Sequence, residues 1–169
     1  MEKKPLSPPV YGLVISIVLI IFGLIIQFTN QFQNKTLGYV SYAVLLIGII
    51  IACVNYAKQM NGNVTYGNVF AHGFKTTAVV IVIMAIYTAL ALKIIFPDMI
   101  DKILETSRTQ MEGKMADDQI EQALQMTRKF FLPFAIGGII VIYGILGAIA
   151  AAIGAAVAKK NPQVNTPFN

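Results

Sequence analysis

The chain has 169 residues, of which 56% are hydrophobic and only 12% are charged, about half the charged share of a typical soluble domain. Its net charge of +5 comes mostly from lysines at the ends of apolar runs, which excludes a soluble nucleic-acid-binding surface, and its single cysteine excludes a disulfide framework. Composition therefore predicts an integral membrane protein with one domain over residues 1–169.

Four apolar runs without Asp or Glu follow one another along the chain. Each is close to the roughly 20 residues that a helix needs to cross a hydrocarbon core of about 30 Å. Backbone polar groups in lipid have to be satisfied within their own segment, so each run is predicted to be a transmembrane helix. The predicted spans are 10–28, 37–57, 71–96 and 133–158. The first is too long for a signal peptide and lacks a cleavage site, so we predict that it is retained.

The connections between the spans differ in character. Residues 29–36 and 58–70 are polar turns, the second rich in Asn and Gly, and the tail 161–169 is predicted to be disordered. Residues 97–132, in contrast, contain seven of the eight acidic residues. Pro97 with Asp98 favours a helix start, and Asp118 with Glu121 is typical of a capping box that opens a second helix.

Each helix of 97–132 is predicted to have one apolar face. The faces consist of Ile100, Ile103, Leu104, Ser107 and Met111 in the first helix, and of Ile120, Ala123, Leu124, Thr127 and Phe131 in the second. We therefore predict an all-α fold with four transmembrane helices and an extramembrane amphipathic helical hairpin between spans three and four. Its candidate partner-binding residues are Ile103, Leu104, Leu124 and Phe131.

Four spans place both termini on one side of the membrane. Over short connections, six basic residues lie on that side, against Lys35 and Lys93 opposite. Adding the five basic residues of 97–132 makes the count six against seven, so the positive-inside rule does not decide the orientation. We predict cytoplasmic termini, because 97–132 carries a net charge of −2 (five basic, seven acidic residues) and can translocate as a small folded unit.

The fourth span is lined by small residues. Gly144, Ala148 and Ala152 recur at four-residue spacing, and Gly147 with Ala151 forms an adjacent row. Small residues let helix backbones approach closely in a membrane, so these five are predicted to pack against a helix of the same subunit, of another copy or of a partner protein.

Residues able to carry chemistry are few. No span contains a carboxylate, which disfavours coupled transport, and a single histidine excludes two-histidine zinc sites. We therefore predict a protein that is not an enzyme and has no cofactor or metal. The remaining ligand candidate is the segment 66–75, in which Tyr66, His72 and Lys75 could bind a headgroup or a small anion. The alternative is a helix-entry turn whose polar groups reach the interface.

The order of these features resembles the domain-of-unknown-function 4199 family, small four-span membrane proteins of Bacteroidetes-type bacteria. The resemblance rests on a lysine-rich start, on Asn61-Gly62 followed by Tyr66-Gly67, on Phe96-Pro97-Asp98, and on MADDQIEQALQMTRKF before the last span. It implies a bacterial inner membrane and no assigned activity, and no functional residues carry over from it.

The leading hypothesis is a non-enzymatic scaffold or accessory subunit that contacts a protein partner, or another copy of itself, through 97–132. A small oligomeric permease or channel built around the fourth span is one alternative. A lipid-binding module or enzyme using 66–75 is another.

Overall fold

The computed structural model describes residues 6–31 and 34–161, and within them the chain is helical without strands. The helices are α1 (Pro8–Phe28), α2 (Lys35–Gln59), α3 (Tyr66–Leu90), α4 (Met99–Met111) and α5 (Asp117–Val157), and a π-helical turn, Ala91–Ile95, follows α3 directly. All but the first residue of the predicted disordered tail, 161–169, lies outside the described residues.

Four helices have the length and composition of membrane spans, as predicted. They are α1, α2, α3 together with the π-helical turn, and α5, with mean hydropathies between 2.4 and 2.7 in their most apolar stretches. At most 22% of the residues in those stretches are buried. The exposed side chains are mainly aliphatic, among them Ile21, Ile47, Val82 and Ile145. An apolar surface of this extent would promote aggregation in water, and it is the surface expected of helices in contact with lipid.

Two helix starts differ by more than two residues from the predicted starts of the spans. α3 begins at Tyr66, so the end of the predicted turn 58–70 is already helical. α5 runs without interruption from Asp117 through Pro133 to Val157, so no helix boundary separates 97–132 from the span predicted at 133–158. Asp118 consequently lies in the first turn of α5 rather than at its cap. That the charged part of this region lies outside the membrane stays a prediction.

The chain divides into two compact units. The first, which we call the bundle unit, contains the described residues up to Met84 and from Val141 onward, and the second contains residues 85–140.

Glycines set the helix spacing of the bundle unit. A Cβ built on Gly12 of α1 would lie 2.7 Å from Val79 Cβ of α3, and one on Gly48 of α2 would lie 2.9 Å from Ile15 Cγ1 of α1. Both distances are shorter than real Cβ contacts, so only a residue without a side chain fits there. Close approach of this kind is the usual way in which helices associate in lipid.

Cys53 lies where α2, α3 and α5 meet. It is fully buried, and its side chain occupies the space that a Cβ on Gly73 of α3 or on Gly154 of α5 would need. For Gly154 that Cβ would lie 2.6 Å from Cys53 Cβ. Cys53 therefore acts as a small buried apolar residue around which three helices pack.

The α2–α3 turn is fastened to the chain just beyond α5. Asn61 and Gly62 have positive φ angles of 52° and 76°, and the Gly62 N–H donates to the Ala57 carbonyl at 2.9 Å, closing the end of α2. The Gly62 carbonyl accepts the N–H of Asn161 at 2.7 Å. Glycine is the residue best suited to this left-handed conformation.

The π-helical turn ends at a proline. Phe96, the residue before Pro97, leaves the helical region with φ −133° and ψ 62°, and its N–H donates to the carbonyl of Ala91, five residues back, at 2.7 Å. A residue that precedes proline is pushed out of the α conformation, so the preceding turn widens before the chain breaks.

Candidate functional site

In the unit 85–140, two ion pairs join α4 to the first half of α5. Arg108 Nη2 lies 3.0 Å from Glu121 Oε1, and Arg128 pairs with Asp101. Asp101 precedes Arg108 by two turns on α4, whereas the partner of Asp101, Arg128, follows Glu121 by two turns on α5. The two helices therefore run antiparallel. Each side chain is about half exposed or more, and such pairs contribute only about 0.2–1 kcal/mol each. Their main effect is to define the register of the two helices.

A groove of about 490 Å³ runs between α4 and α5, beside these ion pairs. Its apolar lining comes from Leu104 and Leu124, and its polar lining comes from Glu105, Arg108, Glu121, Gln125 and Arg128. Leu104 is only 7% exposed, and Ile120 on α5 is 1% exposed. Both aliphatic side chains are thus buried, and Leu104 also lines the groove.

The four residues predicted to bind a partner do not form one surface. Leu104 and Leu124 line the groove together, whereas Ile103 is half-buried and is not part of its lining. Phe131 lines a separate depression on α5. The structure therefore brings two of the four together.

His72 lies inside the bundle unit rather than at a surface. Its ring stacks on Tyr56 of α2, with centroids 4.2 Å apart and an angle of 12°, and Tyr11 of α1 meets it edge-on at 5.8 Å. The side chain is buried, and Nε2 has no hydrogen-bond partner among the described residues. His72 is therefore enclosed by side chains of α1 and α2, and its depth in the membrane stays a prediction.

Tyr66 and Lys75, which the sequence grouped with His72, have different surroundings. The Tyr66 hydroxyl donates to the Ala152 carbonyl of α5 at 3.4 Å, and Lys160 Nζ lies 5.9 Å from the Tyr66 ring centroid. Lys75 is exposed. The segment 66–75 is thus the first part of α3, in which Tyr66 contacts α5 while His72 contacts α1 and α2.

The two rows of small residues on α5 differ in burial. Gly147 and Ala151 are buried, with Gly147 directly against Thr77 of α3. Gly144, Ala148 and Ala152 are half-buried, and a Cβ on Gly144 would meet nothing within 4 Å.

Three buried hydroxyl groups inside the bundle unit form hydrogen bonds within their own helices. The hydroxyls of Ser16, Thr76 and Thr77 are almost completely buried, and each donates to the carbonyl four residues earlier in its own helix, at 2.8 to 3.0 Å. Such bonds neutralise the hydroxyls without linking them to one another. In the ranges that the structure describes, no cluster of three or more His, Cys, Asp or Glu side chains could hold a metal ion.

Comparison with known proteins gives one family and no individual relative. The sequence profile of the family described as "Protein of unknown function (DUF4199)" matches residues 10–160, nearly the whole chain. Neither the curated proteins nor the solved structures gave a match. The resemblance that the Asn-Gly turn and the Phe-Pro-Asp segment indicated is confirmed: the chain belongs to the DUF4199 family.

Proposed function

We propose that this chain is a multi-pass protein of the bacterial inner membrane that acts as a non-catalytic accessory subunit and binds a protein partner in the groove between α4 and α5. The observation that carries the proposal is the groove itself, with Leu104 and Leu124 in its lining beside carboxylates and guanidinium groups. An apolar contact area with charges of both signs around it is the usual composition of a protein interface.

The charges around the groove favour a basic partner segment. Arg108 and Arg128 are already paired with acidic residues of the same unit. Glu105, also in the lining, takes part in no ion pair within the described residues, so its carboxylate can accept a Lys or Arg side chain. A partner helix with an apolar side chain near a basic one would fit this arrangement, as in other helix-in-groove complexes.

Site-specific photo-crosslinking in native membranes tests the partner. A photoreactive amino acid at Gln125, in the groove lining, should give a discrete heavier species whose second component is identified by mass spectrometry. The matched control is Gln122, which is exposed on the same helix but does not line the groove. Identical adducts at both positions, or adducts with lipid alone, would contradict the proposed function.

The orientation that accompanies this proposal has cytoplasmic termini and places α4 on the opposite side. This orientation is supported by the number of basic residues, which is larger on the side of the termini than on the other side when only short connections are counted. In a Cys53→Ala background, a new cysteine at the exposed Gln110 of α4 should react with a membrane-impermeant maleimide in cells whose outer membrane has been permeabilised. Reaction only after the inner membrane is also broken would reverse the orientation.

A further inference from the structure

The uncharged, apolar stretch of α5 begins immediately after Lys129. From Phe130 to Val157 α5 contains no charged residue, which is about 28 residues and, at 1.5 Å per residue, about 42 Å of helix. A hydrocarbon core is only about 30 Å thick. An upright helix of this length extends about 12 Å beyond the core. Lys129 and the aromatic rings that follow it are the residue types of the headgroup region, so they assign part of this excess to the first turns after Lys129.

These first turns have an open apolar depression on their surface. It measures about 610 Å³ and is lined by Met126, Thr127, Phe130, Phe131, Phe134 and Ala135. The six residues form two adjacent rows along the helix, each with a spacing of four, and the trough lies between the rows. Phe134 is 73% exposed and Met126 is 65% exposed, so the trough opens outward within this unit.

A positive charge that is not neutralised lies next to the trough. Lys129 Nζ is 5.5 Å from the centroid of the Phe130 ring, and no carboxylate pairs with it in the part of the chain that the structure describes. Arg128, in contrast, is paired with Asp101. The Phe130 and Phe134 rings, with centroids 6.0 Å apart, continue the apolar surface away from Lys129.

We infer that this aromatic and basic face of α5 binds a phospholipid with an anionic headgroup, the acyl chain lying in the trough and the phosphate at Lys129. Two observations select a lipid over a protein segment. The trough lies on α5, a helix with the length and composition of a membrane span, and Lys129, which is unpaired within the described residues, lies at the start of its apolar stretch. Aromatic rings and lysine side chains are the groups that proteins place at this depth.

The inference rests on the membrane placement that is part of the proposed function. Tryptophan fluorescence can test the lipid site and the membrane placement separately. The chain has no tryptophan, so Phe134→Trp adds a single reporter at the most exposed ring of the trough. Ile145→Trp is the matched control, 59% exposed on the same helix but about three turns deeper, away from any headgroup. Each full-length variant is reconstituted into phosphatidylcholine vesicles that contain brominated phosphatidylglycerol or, separately, brominated phosphatidylcholine.

At Phe134→Trp, brominated phosphatidylglycerol should compete for the site about fivefold better than brominated phosphatidylcholine, since one lysine near an anionic surface contributes about that factor. Lys129→Gln should bring the ratio close to one, and Ile145→Trp should show no preference. Equal quenching by the two lipids at Phe134→Trp, or a preference that survives Lys129→Gln, would overturn the lipid site. Water-like emission without quenching at both tryptophans would instead refute the membrane placement.

Discussion

Replacing Gly147 with alanine should force α5 away from α3, because the contact leaves no room for a methyl group. The added Cβ would lie 2.5 Å from Thr77 Oγ1 and 2.8 Å from Thr77 Cβ, and it would overlap Thr77 Cγ2. Thr77 cannot yield easily. It is 1% exposed, its β-branched side chain is stiff, and its hydroxyl donates to the Gly73 carbonyl at 3.0 Å.

Gly144→Ala is the matched control for the size of the effect. Overpacking of this kind costs about 1–3 kcal/mol. At Gly144, one turn earlier, a Cβ meets nothing within 4 Å, so alanine there should add only its better helix propensity, up to about 1 kcal/mol. The propensity gain is common to both variants and cancels, so their free energies of unfolding should differ by the overpacking cost alone, about 1–3 kcal/mol, roughly 5-fold to 160-fold in the unfolding constant.

The measurement is unfolding of the full-length chain in mixed micelles by sodium dodecyl sulfate, followed by far-ultraviolet circular dichroism. Thr77→Ala removes Oγ1 and Cγ2, so adding it to Gly147→Ala should recover part of the lost stability. The reasoning is refuted if Gly147→Ala is as stable as Gly144→Ala. It is also refuted if Thr77→Ala lowers stability by the same amount in the unaltered chain and in the Gly147→Ala variant.

Three further substitutions test other parts of the molecule. Gly62→Ala should cost about 1–2 kcal/mol in the same assay because φ is 76° there, whereas Gly67→Ala, with only one atom at 3.9 Å, should be close to neutral; similar values would contradict the turn geometry. Asp101→Arg should speed amide hydrogen exchange in α4 through repulsion with Arg128, and adding Arg128→Asp to it should restore the slower exchange. The effect of Asp101→Arg should shrink at high salt, and an effect independent of salt would exclude the ion pair. His72→Phe keeps a stacked ring and removes the unpaired Nε2, so stability should stay equal or rise by about 1–3 kcal/mol; a loss above 1 kcal/mol would mean that Nε2 has a partner outside the described residues.

Hydropathy was sufficient to find the four long helices but not their ends. The reason is visible at Pro133, where an apolar run begins in the sequence while the helix has already run for four turns. Proline removes one hydrogen bond, but it does not end a helix when neighbouring bonds hold the turn, and this is common in apolar helices. The π-helical turn at Ala91–Ile95 was equally unpredictable, because Pro97 signals a break without determining how the preceding turn widens.

The candidate site was only partly predictable, because a pattern of faces does not specify a register. The apolar stripes of 97–132 placed Leu104 and Leu124 on the apolar faces of the two helices, and both line one groove. Which residues share a groove, however, depends on the alignment of α4 with α5. That alignment comes from Arg108 with Glu121 and Arg128 with Asp101, which are too far apart in sequence for any local rule to find.

The interior of the bundle unit is marked by small and hydroxylated residues, which follows from lipid as the solvent. When the outside of a helix is as apolar as its inside, hydrophobicity cannot separate the two faces, and close packing replaces it as the driving force. Gly12, Gly73 and Gly154 accordingly lie at contacts too tight for a side chain. Applied to every span, the small-residue criterion that was used for the fourth span alone would also have identified the inner faces of α1 and α3. It would not have predicted the burial of His72, which depends on stacking against Tyr56 of another helix.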